Sequence, residues 1–323
     1  MDELTNRIDL TEFAEKISGL KEKIGETIIG QEQSVDLLLT SLLADGHVLL
    51  EGVPGVAKTL LAKLIAKLIE ADFSRIQFTP DLMPSDVLGT SVFNLKSNEF
   101  EFVKGPIFSE IVLIDEINRA PAKTQAALFE VMEERQVTVD GFTRKMGDVY
   151  MVIATQNPVE QEGTYRLPEA QLDRFVMKIV IDYPKAEEEF EVLKRHNENK
   201  RLTKLDTIKP ILTKSELLRF REIVSQVFIE ESLIKYISDI VLATRGSKAI
   251  YLGASPRAGV ALLNASKAYA VLQGRDFVIP DDIKYLTTSV LQHRIMLSAE
   301  TEMEGRSASN IIKLLVDKID VPK

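Results

Sequence analysis

One segment limits the fold of this chain more than any other: an apolar run that leads into a glycine-rich turn and then into an amphipathic helix. The run covers residues 47–51 and the turn covers residues 52–59. The helix that follows turns five apolar residues inward, namely Leu60, Leu61, Leu64, Ile65 and Leu68. A strand, a tight turn and a covering helix in this order are typical of parallel α/β sheets.

The turn has the sequence of a phosphate-binding loop except at one position. Gly52-Val53-Pro54-Gly55-Val56-Ala57-Lys58-Thr59 fits the pattern G-x-x-x-x-G-K-[ST], with Ala57 in place of the second glycine. In such a loop, backbone N–H groups and a helix N-terminus face the phosphates. Lys58 is placed to reach the β- and γ-phosphates, and the Thr59 hydroxyl is placed to ligate Mg²⁺. We expect Ala57 to adopt helical φ and ψ, which tolerate its Cβ.

Further apolar runs alternate with helical patterns, which predicts a right-handed parallel α/β sheet. The runs at 111–114 and 150–154 are wholly apolar, as expected of strands buried on both faces, and 76–78 and 176–181 are also predicted strands. After Pro184 the strand patterns nearly vanish and helical faces follow. We therefore predict an α/β domain over residues 1–184, with an N-terminal helix, and a small all-helical domain over residues 185–323.

Two acidic residues, Asp115 and Glu116, directly follow the apolar run at 111–114. Carboxylates at the end of a buried strand are costly without a charged partner, and a metal ion would supply one. Asp115 is therefore predicted to hold Mg²⁺, directly or through water. Glu116 is predicted to polarise the attacking water as general base.

The composition excludes several classes of protein. The 323 residues include no cysteine and three histidines, which excludes disulfides and cysteine nucleophiles and makes a histidine metal centre improbable. Lys and Arg total 40 against 49 Asp and Glu, so the net charge is −9 and general nucleic-acid binding is unexpected. The N-terminus lacks a basic region followed by an apolar run, and no apolar stretch approaches the ~18 residues of a spanning helix. We therefore expect a cytoplasmic protein with no membrane insertion.

Five segments in order make the chain resemble the AAA+ ATPases and, among them, the MoxR family, over nearly the full length. They are GVPGVAKT (52–59), IDEINRA (114–120), ATQNP (154–158), LPEAQLDRF (167–175) and GASPRA (253–258). Alanine at position 57 is usual in MoxR loops. The resemblance implies the P-loop NTPase fold of AAA+ proteins, in which a parallel sheet flanked by helices precedes a helical lid, with ATP and Mg²⁺ as ligands.

The same resemblance implies roles for single residues. Asn157 resembles sensor 1, whose amide orients the attacking water or the γ-phosphate, although an asparagine before Pro158 also suits a turn. Arg174 resembles the arginine finger, which reaches the γ-phosphate of a neighbouring subunit, although an ion pair with Asp173 would also explain it. Arg257 resembles sensor 2 on the lid. A cation at a helix N-terminus is unfavourable, which favours an anion contact for Arg257.

A segment before the second predicted helix completes the implied site. Residues 28–30 match the family segment that lies against adenine, although an apolar pair before a glycine also suits a core between helices. The residues implied to bind ATP are Ile28, Ile29, Gly30, Gly52, Val53, Pro54, Gly55, Val56, Ala57, Lys58, Thr59 and Leu60. Those implied to act in catalysis are Glu116, Lys58, Asn157, Arg174 and Arg257, with Thr59 and Asp115 for Mg²⁺.

Two more segments lie outside the implied nucleotide site. Residues 136–144 alternate around Asp140-Gly141, which predicts a β-hairpin. In related rings this hairpin points into the central pore, where Phe142 would touch a substrate polypeptide, and a plain exposed hairpin is an equal alternative. Residues 93–102 match the insert that precedes the Asp115 strand in related proteins. Arg119 and Arg166 are weaker candidates for subunit contacts than Arg174.

The resemblance implies a homo-oligomeric ring, most often a hexamer, that uses ATP hydrolysis to remodel partner proteins. ATP would lie between the α/β domain and the lid, and loss of the contact between Arg257 and phosphate would rotate the lid. MoxR relatives often act with partners that contain a von Willebrand factor A domain. Three alternatives remain: a magnesium-chelatase-like motor subunit, a nucleic-acid-linked motor, and a scaffold that binds ATP but barely hydrolyses it.

Overall fold

The computed structural model describes residues 8–53, 55–157, 165, 167–198 and 207–322. Pro54 and Arg166, two of the residues singled out above, lie outside the described residues, as does Pro158. The strands are β1 His47–Gly52, β2 Phe73–Gln77, β3 Gly89–Asn94, β4 Glu99–Lys104, β5 Ile111–Asp115, β6 Gln136–Val139, β7 Phe142–Lys145, β8 Met151–Gln156, β9 Phe175–Ile181, β10 Ile250–Leu252 and β11 Met296–Leu297.

Helices occur throughout the chain and become dominant after β9. They are α1 Thr11–Thr27, α2 Glu32–Leu43, α3 Lys58–Leu68, α4 Pro84–Leu88, α5 Ala122–Glu134, α6 Glu169–Leu172, α7 Ala186–Asn197, α8 Lys214–Gln226, α9 Glu231–Gly246, α10 Pro256–Leu272, α11 Pro280–Leu291, α12 Ala299–Met303 and α13 Ala308–Val316. Among the described residues no helix is both long and apolar enough to cross a bilayer.

A five-stranded parallel sheet with the order β2-β5-β8-β1-β9 forms the centre of the α/β part. Every residue of β5 is buried, because its side chains alternate between two separate cores. Ile111 and Leu113 pack on one face of the sheet, whereas Val112 and Ile114 pack on the other. The predicted parallel sheet with helices on both faces is confirmed. β2 begins at Phe73, three residues before the predicted run.

All five strands of the sheet run in the same direction. Their carboxyl ends therefore lie along one side, which we call the carboxyl edge, and their amino ends lie along the other, which we call the amino edge. Gly52 pairs with Ile181 at the carboxyl edge, and His47 pairs with Phe175 at the amino edge. The two edges lie about 16 Å apart along β1, since a strand rises about 3.3 Å per residue. Strand order reverses at β1, which lies between β8 and β9. Ligands of open α/β sheets bind beyond the carboxyl ends of the strands at such a point.

Two antiparallel hairpins project from the α/β part and touch each other. β6 and β7 pair around Asp140 and Gly141, as predicted, and β3 pairs with β4 within the insert. The Ser91 hydroxyl donates a hydrogen bond to the Asp140 carboxylate. The Arg144 guanidinium lies 3.8 Å from the centre of the Phe102 ring. The insert and the hairpin therefore form one contiguous projection.

The chain after β9 forms the predicted helical part, with one addition. β10 and β11 pair as a short antiparallel ribbon within it. α10 and α11 pack against β9, and α10 also packs against α2, so the helical part lies beside the edge strand of the sheet. Leu262 and Leu286 of the helical part share one continuous core with Val48 and Leu39 of the α/β part. The division at residue 184 is our proposal for the domain boundary.

His47 ties β1 to neighbouring elements at the amino edge. Its ring is buried, and the Val152 N–H donates to Nδ1 at 3.0 Å. Nε2 therefore carries the proton and donates to the Met132 carbonyl at 3.1 Å. Burial lowers the pKa of His47 to about 4, and the nearby Arg135 and Arg221 act in the same direction.

This histidine should make folding stability fall with acid. Because the unfolded histidine has its ordinary pKa of 6.5, it binds a proton before the folded form does as pH falls. Stability is therefore full above pH 6.5 and is lost as pH falls towards 4, by about 2 kcal/mol at about pH 5. Urea titrations near neutral pH and near pH 5, compared between the parent and a His47 variant, measure this loss, because burial also lowers the pKa of His293 and adds to the loss in the parent.

The variant His47→Asn should show a smaller loss of stability over the same pH range. His196, which is exposed on α7, provides the matched control, and His196→Asn should behave as the parent does. An equal acid sensitivity in His47→Asn and the parent would contradict the assignment.

Candidate active site

The loop between β1 and α3 lies at the carboxyl edge of the sheet. A Cβ on Gly52 would lie 2.6 Å from the Ile181 carbonyl oxygen, so the end of β1 requires glycine. Gly55 has a φ of +91°, in the region that favours glycine. Val56 is buried, and Val53 is half-buried against the core on that face. Val53 and Val56 thus anchor the described part of the loop to the core, whereas Gly55 is exposed to solvent.

Ala57 does not adopt the conformation that we expected. Its φ of 58° and ψ of 19° are left-handed, not right-handed helical. The residue is the N-cap of α3, and the left-handed turn at this point directs the chain from the loop into the helix. A left-handed alanine costs about 1–2 kcal/mol, which explains why the general pattern has glycine here. Ala57 is half-buried, and its left-handed conformation therefore carries this strain in the folded protein.

The N-terminus of α3 carries the side chains that the loop pattern predicts. Lys58 is the first residue of the helix, and its Nζ donates a hydrogen bond to the Gly52 carbonyl at 2.5 Å. Thr59 and Leu60 follow, both half-buried. Ala57 has no side-chain oxygen to cap the helix. The first N–H groups of a helix have no partner within it, so they are suited to an anion.

Asp115 is held by two neighbours that the sequence analysis did not identify. It is 7% exposed, and its Oδ1 accepts a hydrogen bond from Thr155 Oγ1 at 3.1 Å. Its Oδ2 accepts one from Arg75 Nε at 2.5 Å. We inferred a metal ion as the charged partner of this carboxylate, and the structure instead gives it Arg75. The burial argument for a metal therefore does not hold for Asp115, although its oxygens still suit a water-mediated contact with Mg²⁺.

Glu116 has an unusual backbone and two side-chain partners. Its φ of 57° is left-handed, and its N–H donates to Thr155 Oγ1 at 3.0 Å. Gln77 Nε2 donates to Glu116 Oε2 at 2.6 Å, and Arg119 Nε lies 3.1 Å from the same oxygen. Backbone strain of this kind often accompanies function. Arg119, a candidate for subunit contacts, thus contacts Glu116 of its own chain.

Asn157 lies one residue beyond the end of β8 and is 8% exposed. β8 is the neighbour of both β5 and β1, so its carboxyl end lies between the ends that carry Asp115 and Gly52. Adjacent strands are about 4.8 Å apart, so the three strand ends fall within about 10 Å. The sheet therefore brings Lys58, Thr59, Asp115, Glu116 and Asn157 to one edge, as the motifs predicted.

For the segment 28–30 we considered contact with adenine and a place in the core between helices, and its residues differ in which of these they fit. Ile28 is buried in the core with α1 and α2, whereas Ile29 is half-buried. Gly30 has a φ of +72°, and a Cβ there would meet the Glu188 carboxylate of α7 at 2.3 Å. The Arg195 guanidinium of α7 also donates to the Glu26 carbonyl at 2.8 Å. α7 therefore borders this segment, and Ile29 and Gly30 remain the better candidates for contact with a base.

Arg174 lies at the opposite edge of the sheet. It directly precedes Phe175, the first residue of β9, at the amino edge. Its Nη1 donates to the Phe129 carbonyl at 2.6 Å and lies 3.3 Å from Glu133 Oε2. Asp173, considered as its partner, instead pairs with Arg294 at 2.9 Å. An arginine finger that serves another subunit is expected to lie away from its own phosphate loop.

Arg257 also lies at the amino edge, beside Arg174, and its role as sensor 2 stays a prediction. The Ser255 hydroxyl donates to Asp173 Oδ2 at 2.8 Å and fixes the start of α10 beside β9. Arg257 Nη2 donates to Glu133 Oε1 at 2.7 Å. The helical part packs against β9 and α2, which places the start of α10 beside β9.

Comparisons with known proteins agree with this fold. Residues 47–177 match the family described as "ATPase family associated with various cellular activities (AAA)", and residues 242–314 match the AAA lid domain. A crystal structure of a candidate ATPase from Cytophaga hutchinsonii has 43% sequence identity and a TM-score of 0.89, and the similarity covers 97% of each chain.

Two relatives match over most of the sequence. The uncharacterized protein YeaC of Bacillus subtilis is 48% identical over 301 residues, which are 93% of either chain. Chaperone MoxR1 of Mycobacterium tuberculosis is 42% identical over 310 residues, which cover 93% of this chain and 81% of the relative. By these matches, this chain belongs to the MoxR family of AAA+ ATPases.

Proposed function

We propose that this protein hydrolyses ATP to ADP and phosphate and uses the reaction to remodel partner proteins. One observation carries the proposal: a lysine, a hydroxyl, two carboxylates and an amide converge at the carboxyl edge of the sheet, around the N-terminus of α3. The polyphosphate would lie against the N–H groups of residues 55–60, with Lys58 on the β- and γ-phosphates. The base would lie against Ile29 and Gly30.

Thr59 and Asp115 would hold Mg²⁺. A hydroxyl and a carboxylate are ligands that this ion accepts, and it commonly keeps several waters. Since Arg75 and Thr155 already hold both oxygens of Asp115, a water-mediated contact fits better than a direct one. When bound, the ion neutralises charge on the β- and γ-phosphate oxygens.

Glu116 would accept the proton of the attacking water. Its carboxylate is held by Gln77 and Arg119, and it must turn from them to reach a water at the γ-phosphate. Asn157, from the neighbouring strand end, would orient that water or the γ-phosphate. A positioned general base contributes about 10²–10⁴ in rate.

Arg174 and Arg257 would serve the nucleotide of a neighbouring subunit. Both belong to the amino edge, about 16 Å along β1 from the phosphate loop of their own chain. A head-to-tail contact would bring this edge to the carboxyl edge of the next copy, and repeated contacts of this type close into a ring. We propose such a homo-oligomer, with six copies as the resemblance implies. Each active site would then need two chains.

The projection formed by the two hairpins would contact the client protein. Phe100 and Phe142 are 74% and 67% exposed, and Phe93 packs edge-on against Phe100. Exposed apolar side chains in one area commonly mark a protein interaction site. The relative named Chaperone MoxR1 supports a chaperone role for this chain too. A partner with a von Willebrand factor A domain remains part of the proposal.

One prediction separates the binding of ATP from its hydrolysis. Lys58→Ala should weaken ATP binding by about 100-fold, because a hydrogen bond to a charged group contributes up to about 3 kcal/mol. Glu116→Gln should bind ATP as the parent does and lose turnover by about 10²–10⁴. Titration with a fluorescent ATP analogue measures binding, and phosphate release measures turnover.

Lys67 lies on the same helix as Lys58 but near its other end, and it is exposed. Lys67→Ala is therefore the matched control and should retain both properties. Hydrolysis at the parent rate by Glu116→Gln would remove Glu116 from the role of base. A parent protein that binds ATP without measurable single turnover would favour the ATP-gated scaffold. Strong stimulation by DNA with a steep salt dependence would favour the nucleic-acid motor.

Another prediction tests whether each active site is built from two chains. Arg174→Ala should bind ATP normally and lose turnover. When it is mixed with Glu116→Gln subunits, activity should return, because roughly a quarter of head-to-tail interfaces then combine two intact halves. The same mixture with Arg257→Ala should also regain activity. Phosphate release from mixtures that exchange subunits is the measurement.

Each variant alone is the control for the mixtures. An absence of recovery for Arg257→Ala, with recovery for Arg174→Ala, would mean that Arg257 acts within its own chain. An absence of recovery for both would contradict the two-chain site.

A further inference from the structure

A single carboxylate at the amino edge holds both arginines. Glu133 is the last but one residue of α5, and its two oxygens have different partners. Oε1 accepts from Arg257 Nη2 at 2.7 Å, and Oε2 lies 3.3 Å from Arg174 Nη1. The two guanidiniums come from parts of the chain 83 residues apart in sequence, since 257 − 174 = 83. Glu133 is therefore the point at which they meet.

The two arginines depend on Glu133 to different degrees. Arg174 has a second anchor on α5, the Phe129 carbonyl at 2.6 Å, and its side chain is 27% exposed. The Arg257 side chain is 57% exposed, and in the described part of the chain its ion pair is with Glu133. A long exposed side chain with one ionic anchor loses its position when that anchor loses its charge.

The surrounding charges make a carboxylate at this point necessary. Arg294 lies nearby and is paired with Asp173, so this cluster holds the guanidiniums of Arg174, Arg257 and Arg294 with the carboxylates of Glu133 and Asp173. Like charges repel at short range, and without Glu133 the two outer guanidiniums would separate. With Glu133, Arg174 and Arg257 share one ion-pair partner.

We propose that Glu133 is a positioning residue that gathers Arg174 and Arg257 at one point, so that both meet the same phosphate of the neighbouring subunit. This inference rests on the proposed function, because it assumes that the two arginines act across a subunit contact. Glu133 does not touch the nucleotide. It acts through the arginines, and mainly through Arg257, which has the weaker independent anchorage.

The test compares single-turnover rates and ATP dissociation constants of Glu133→Gln, Arg257→Ala and the double variant. We expect Glu133→Gln to slow single turnover by about 10-fold, because small misplacement of a catalytic group has effects of this size or larger. The dissociation constant for ATP should not change, since the phosphate loop of the other subunit dominates binding. The double variant should be slower than Arg257→Ala alone by much less than 10-fold, because the two changes remove largely the same contribution.

Matched variants separate this role from a structural one. Glu134→Gln makes the same charge change on the adjacent exposed residue of α5 and should keep the parent rate. Glu133→Asp keeps the charge on a shorter side chain and should recover part of the rate that Glu133→Gln loses. If Glu133→Gln does not fold, Glu133→Asp and its double variant with Arg257→Ala provide the same comparison.

Several outcomes would overturn the inference. A parent rate in Glu133→Gln would show that the carboxylate has no positioning role, and the proposed ATPase would be unaffected. Multiplicative effects in the double variant would mean that Glu133 and Arg257 act independently. If Arg174→Ala and Arg257→Ala themselves turn over ATP at the parent rate, the two-chain site fails, and the inference about Glu133 fails with it.

Discussion

Parallel pairing of β1 with β8 on one side and β9 on the other determines where the side chains at the strand ends lie. Parallel strands end at the same edge, so the residues after β1, β5 and β8 converge. The same pairing sends the residue before β9 to the opposite edge. A parallel sheet thus separates the phosphate loop of this chain from Arg174 by the length of a strand. Both halves of the proposed site follow from one alignment of strands.

The packing of the helical part against the sheet determines the position of Arg257. α10 and α11 lie against β9, and the Ser255 hydroxyl bonds to Asp173. These contacts commit the start of α10 to the amino edge. With Arg257 there, a nucleotide would be sensed between subunits instead of between the two domains of one chain. Conversion of ATP to ADP would then change the contact between copies directly.

Much of this arrangement could be predicted from local sequence. The wholly apolar run at 111–114 identified a strand buried on both faces, and Asp140-Gly141 identified the hairpin turn. The position of Arg257 could not be predicted, because it depends on how α10 packs against α2 and β9, which are distant in sequence. The left-handed Ala57 was missed because its residue type does not favour that conformation.

The sequence predicted the acidic residues of the site but not the side chains that pair with them. Asp115 was identified by its place after a buried run. Its partner Arg75 was missed, although Arg75 lies on the adjacent strand two residues before Gln77, which is opposite Asp115 in the sheet. Thr155 lies inside a quoted motif, and its contacts to Asp115 and Glu116 depend on the pairing of β5 with β8. The register between two strands depends on contacts between residues that are distant in sequence, and local patterns do not indicate it.

The most direct test of the central claim is an electron cryomicroscopy structure of the Glu116→Gln protein with ATP and Mg²⁺. The account predicts a ring in which the γ-phosphate bound at Lys58 of one copy lies within about 3 Å of the Arg174 and Arg257 guanidiniums of the next. A structure in which that phosphate contacts only its own chain, with both arginines distant from any nucleotide, would contradict the account.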